Sequence, residues 1–167
     1  MLSLTLVFFH TYLLILCSGV VCPTDHPGDH CLHSNDADLD SVTTAVKNAD
    51  QVVVFLGLDQ YDEREGTDRQ SLTLSPLQTQ ILSAAAEAAG PAVPVVVVLN
   101  NGGAVAMDYS IPDAVVEAFA PGIEGSPAIA CALFGDTGCN RWGRLPVTVM
   151  PETFRKNDMA NMYDVRR

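Results

Sequence analysis

Apolar residues in this chain fall into two rhythms. Residues 36–49 alternate at helical spacing, with Leu39, Val42, Val46 and Ala49 on one side. Residues 51–56 then form a continuous Val-rich run, the pattern of a strand buried on both faces. Asn35 or Asp36 can cap the first helix. Ser75-Pro76 opens a second helix, with Ser as N-cap and Pro at the first helical position. Leu77, Ile81, Leu82, Ala85 and Ala88 mark its buried side, and Gly90-Pro91 ends it. Residues 93–99 read as a second buried strand and 114–120 as a third. Residues 126–134 read as an Ala-rich helix, 135–143 as a turn and 145–149 as a short final strand. Residues 152–167 are polar and read as an extended tail without a core. This alternation of strands and helices predicts an α/β fold, a three-layer α/β/α sandwich around a mostly parallel sheet. Parallel strands send their following loops to one edge, where ligands bind in such sheets. Those loops are 57–69, 100–103 and 121–125.

The 167 residues suffice for one domain, and 48% hydrophobic content can bury a core. The formal charge is −11 without a basic cluster, which argues against nucleic acid and anionic membrane surfaces as partners. Residues 1–21 carry no charged side chain and hold an apolar run too short to span a bilayer. The run suits a signal peptide cleaved near Cys17-Ser18-Gly19, hence a secreted protein. The rival reading is a start codon placed inside a longer frame. Residues 22–36 read as a lead-in. There, Cys22 and Cys31 flank a loop and could pair in an oxidising compartment. Cys131 lies in an apolar helical pattern and reads as a packed thiol. His26, His30 and His33 fit no standard zinc spacing, so no metal and no cofactor are expected.

The loop after the first strand concentrates chemistry. Asp59, Asp62, Glu63, Glu65 and Asp68 crowd together with Arg64 and Arg69 among them. Neighbouring carboxylates raise one another's pKa and an adjacent Arg lowers it, so one Glu here could act as a general acid. A solvated acidic loop is the plainer reading of the same residues. No GxGxxG, Walker or GxSxG pattern occurs, and no Lys follows residues 100–103 to complete a phosphate site.

Gly57-Leu-Asp-Gln60, then Glu63, Glu65-Gly66-Thr-Asp68-Arg69, Leu72-Thr-Leu74, Gln78 and Leu82, resemble the C-terminal α/β-sandwich domain of glycoside hydrolase family 3. The strand 95–99 with Asn101-Gly102-Gly103 resembles the same domain. So do Pro121-Gly122-Ile-Glu124-Gly125, Gly143-Arg144-Leu145-Pro146 and Pro151-Glu-Thr-Phe154. The similarity runs in unbroken order over about residues 37–155, leaving 156–167 as a tail. It implies a retaining glycosidase of β-xylosidase, α-arabinofuranosidase or β-glucosidase type, acting on an oligosaccharide or glycoside. Such enzymes pair a nucleophile with an acid/base carboxyl. The resemblance implies that the nucleophile lies on a (β/α)8 barrel domain that these residues do not include. It puts the acid/base at Glu65, or at Glu63 if the loop slides. Asp68 and Arg69 would orient the loop or touch sugar hydroxyls. The sequence departs from the family at Asn140-Arg141-Trp142-Gly143, where a Pro-Gly-Gly turn is usual. The rival functions are a non-catalytic carbohydrate-binding module, with Tyr61 and Trp142 as stacking aromatics, or a fragment of such an enzyme.

Overall fold

The computed structural model describes residues 6–9, 12–16, 39–47, 49–58, 62–66, 68–135, 138–139 and 143–156. Its centre is a five-stranded sheet ordered β1-β2-β3-β4-β5. The strands are β1 (Leu6–Phe9), β2 (Tyr12–Leu16), β3 (Val52–Gly57), β4 (Val95–Asn100) and β5 (Ala114–Glu117). β1 is antiparallel to β2; the pairs β2–β3, β3–β4 and β4–β5 are parallel. Thus β1 and β2 lie within the stretch expected to be a leader, and β2 pairs along β3 from Leu13↔Val52 to Leu16↔Phe55.

The Val-rich runs form strands because both their faces are covered. Val52, Val54 and Leu56 lie beside Val95, Val97 and Leu99 in register. That face packs on Val42 and Val46 of α1 (Leu39–Val46) and on Leu82, Ala85 and Ala89 of α2 (Pro76–Ala89). Val53 and Val98, on the opposite face, are buried too. The sheet with its packed helices has the expected α/β sandwich architecture. α2 starts as predicted: Ser75 Oγ accepts from the Gln78 N–H at 3.2 Å, and Pro76 occupies the first turn. Gly90 ends it with φ 59° and nothing near its absent Cβ.

Three expectations need correction. Residues 145–149 form no strand, and Leu145 and Val147 are exposed, because no described strand lies beside them to pair with. Residues 152–156 are not extended: Glu152–Lys156 forms a 3₁₀ turn. Cys131 is not a packed thiol. It sits on α3 (Gly125–Phe134), of which only Gly125 is buried, and forms a disulfide with Cys139 across a Cα–Cα distance of 5.7 Å. Gly135 makes this possible. Its N–H donates to the Cys131 carbonyl at 2.9 Å, and a Cβ there would sit 2.6 Å from that oxygen. The chain can therefore fold back against the helix end. The Cys22–Cys31 pair, the His cluster, Asn35, Asp36, Tyr61, Trp142 and the tail beyond Lys156 lie outside the described residues.

Candidate active site

The parallel strands β3, β4 and β5 end at one edge, and the exit of β3 is locked there. The buried Gln78 amide acts as a backbone surrogate. Its Oε1 accepts from the Gly57 N–H at 2.9 Å, and its Nε2 donates to the Gly57 carbonyl at 2.8 Å. The Leu58 N–H donates to the Asn100 carbonyl at 3.0 Å. β3 and β4 approach so closely that a Cβ on Gly57 would lie 2.0 Å from the Asn100 oxygen.

From that anchor the carboxylate loop reaches over to the loop after β4. Glu63 accepts the N–H groups of Gly102 and Gly103, the latter at 2.8 Å. Successive backbone N–H groups of this kind form an anion cradle. Side chains at 102 and 103 would fill it: a Cβ on Gly102 would lie 2.8 Å from Glu63 Oε1, and one on Gly103 2.8 Å from both Glu63 Oε2 and Arg69 Nη2. Arg69 completes the clasp. Its Nη2 lies 3.7 Å from Glu63 Oε2 and donates to the Ala104 carbonyl at 2.7 Å. The loop 100–103, read from sequence as a poor phosphate site, thus holds the protein's own carboxylate.

Glu63 and Arg69 are therefore brought together, each with both loops as partners. Glu65 lies two residues on, exposed, and its side chain makes no polar contact among the described residues. Asp68 is likewise exposed, without a side-chain partner among the described residues. Tyr61 lies outside them. Two further residues join the edge: Asn101, named in the sequence only as part of its loop, and Glu117, which the sequence reading passed over. Asn101 is 2% exposed. Its N–H donates to the Phe119 carbonyl at 3.1 Å and its Nδ2 to the Gly103 carbonyl at 2.7 Å, which braces the cradle from behind. Glu117 ends β5, and its carboxylate accepts weakly from the Phe119 N–H at 3.4 Å. Burial pushes the Glu117 pKa up, against the Phe119 N–H and the Asn101 amide, which pull it down. A lone Glu inside the apolar stretch 114–120 was the signal that could have singled it out.

The profile of the glycosyl hydrolase family 3 C-terminal domain matches residues 14–166. The chain belongs to this family. "Probable beta-D-xylosidase 7" of Arabidopsis thaliana is 37% identical over 141 residues, which is 82% of this chain and 18% of that protein. "Periplasmic beta-glucosidase" of Salmonella typhimurium is 36% identical over 117 residues, 69% of this chain and 15% of that one. Among solved structures, a family 3 exo-beta-xylosidase in complex with a xylobiose aziridine probe superposes with a TM-score of 0.55 at 28% identity. It covers 62% of this chain and 14% of its own. The family 3 beta-glucosidase of Bifidobacterium adolescentis gives 0.52 at 37% identity, with 62% and 16% covered. The chain thus spans less than a fifth of the length of these relatives. Glycoside hydrolase membership is established at the level of the family, and the partial span agrees with a barrel domain lying outside these residues.

Proposed function

We propose that this family 3 domain supplies the acid/base half of a retaining glycosidase acting on β-linked xylosides or glucosides in plant-type polysaccharide breakdown. Glu65 is the acid/base, and a carboxylate on the barrel domain is the nucleophile. Both oxygens of Glu63 are taken by the Gly102–Gly103 cradle, while Glu65, on the same anchored loop, is exposed and has no side-chain partner among the described residues. That contrast carries the reading. Glu63 and Arg69 then serve as the clasp that fixes the loop, and Asp68, exposed beside it, is available to sugar hydroxyls. Secretion is the matching localisation, supported by the Cys131–Cys139 disulfide, since such bonds persist in oxidising compartments.

The test is hydrolysis of p-nitrophenyl β-xyloside and of alkyl β-xyloside by the product of the native transcript, beside Glu65→Gln. Loss of an acid/base group is expected to cut turnover of the alkyl substrate about 10²–10⁴-fold. The p-nitrophenyl substrate, whose leaving group departs without protonation, suffers far less in the first step. An equal loss of kcat/KM, which reports that first step, on both substrates would remove Glu65 from the role. Sugar binding without any turnover by the native product would favour a carbohydrate-binding module instead.

A further inference from the structure

A second carboxylate, Glu152, holds the segment that follows Arg69. Glu152 begins the 3₁₀ turn Glu152–Lys156, far along the chain from the site. Its Oε2 accepts the Leu72 N–H at 2.8 Å, and its Oε1 accepts from Arg155 Nε at 2.9 Å. Leu72 is also tied to the loop after β4. The Leu72 carbonyl accepts the Ala106 N–H at 2.8 Å, and Thr73 bridges Ala106 in parallel. Residues 69–73 are therefore tied both to the loop 102–106 and to the Glu152 turn. Within that short run Arg69 grips both Glu63 and the Ala104 carbonyl. Nothing in the hydrolytic reading uses Glu152.

We propose that Glu152 is a positioning residue. By accepting the Leu72 N–H it seats residues 69–73 against the loop 102–106, so that Arg69 and the Gly102–Gly103 cradle meet Glu63 in register. The consequence for catalysis rests on the reading of Glu65 above, because the clasped loop is the one that presents Glu65. The groups facing Glu152 are the Leu72 N–H and the Ser71 hydroxyl from the loop, Arg155 from its own turn, and Asp108 across a shared cavity of about 260 Å³. The Leu72 N–H first, then Arg155, hold its carboxyl below the ordinary glutamate range. The ionised form is thus the one that clasps, and the contact is lost only as pH falls through that lowered value.

The test is amide hydrogen exchange of this chain, without substrate, in wild type, Glu152→Gln and Glu152→Ala, with rates corrected for intrinsic exchange. Glu152→Ala is expected to speed exchange by about tenfold, the loss of one hydrogen bond, at Leu72 and also at Ala106, Gly102 and Gly103. Glu152→Gln, which still presents an acceptor oxygen, is expected to restore protection at all four. If Glu152→Ala does not fold, Glu152→Asp, which draws the carboxylate back by one methylene, is expected to raise exchange at the same four amides, while Glu152→Gln stays protected. Exchange that rises at Leu72 alone would make Glu152 a local cap and overturn the proposal, as would no rescue by Gln. Neither result depends on Glu65, whose failure would appear only in the hydrolysis assay.

Discussion

Glu117 shows how one side chain can oppose the stability of the edge it helps to build. Its carboxyl is partly buried at the end of β5, beside a Phe119 held at φ 54°, a conformation that L residues seldom adopt. Burial raises its pKa, so the folded state binds the proton more tightly than the unfolded state does. The stabilising contribution is therefore complete below the unfolded value, near pH 4.3. It is lost as pH rises through the folded value. Glu117→Gln keeps the shape and removes the charge. Its melting temperature is expected to exceed that of wild type at pH 7 and to converge with it at pH 4. Melting curves at the two pH values check this; an equal difference at both would mean that packing, not charge, separates the two proteins. Glu117 gave little sign of itself in the sequence, because an acidic residue in a short apolar run is equally at home on an exposed strand face.

At the scale of elements, the strongest constraint is the junction of β3, β4 and α2. The Val-rich runs and the Ser75-Pro76 cap made these three elements legible, since buried parallel strands and capped helices each leave a local signature. The close approach at Gly57 left none, because the atom it must accommodate belongs to Asn100 on another strand. The same reason explains the other misses. Residues 145–149 have strand-like residues but no partner beside them among the described residues, and Cys131 looked packed because its helix is apolar in sequence, although only Gly125 of that helix is buried. At the site, the crowded carboxylates were visible, whereas their sorting into clasped Glu63 and open Glu65 depends on Gly102 and Gly103 of a distant loop. Gly57→Ala must open the strand pair against backbone and disturb both Gln78 bonds, at a cost of about 2–4 kcal/mol. Gly66→Ala meets no atom within 4 Å but keeps φ at 79°, which costs about 1–2 kcal/mol. The expected order in urea denaturation is wild type, Gly66→Ala, then Gly57→Ala least stable. A Gly57→Ala midpoint equal to that of Gly66→Ala would show that the two strands separate freely.

For the whole molecule, the decisive edge is the one β2 covers. β3 runs Val-Val-Val-Phe-Leu-Gly, and its side toward β2 pairs over Leu13↔Val52 to Leu16↔Phe55. Deleting residues 1–21 removes both β1 and β2 and leaves β3 without a neighbour on that side among the described residues. It is also the species that cleavage near Gly19 would release. A Val-rich strand with unpaired N–H and C=O groups is a template for edge-to-edge association. Each ladder hydrogen bond contributes about 0.5–1.5 kcal/mol net. A domain of this size melts about 2–4 °C lower per kcal/mol lost. With the four β2–β3 residue pairs lost, the truncated chain is therefore expected to melt roughly 5–20 °C below the full chain. It is also expected to form larger species as concentration rises. Light scattering across a concentration series, run beside the melting curves, reads both effects. A truncated chain that stays monomeric and melts with the full one would mean that β3 needs no neighbour on that side. Residues 1–21 would then be dispensable to the sheet and suited to a leader.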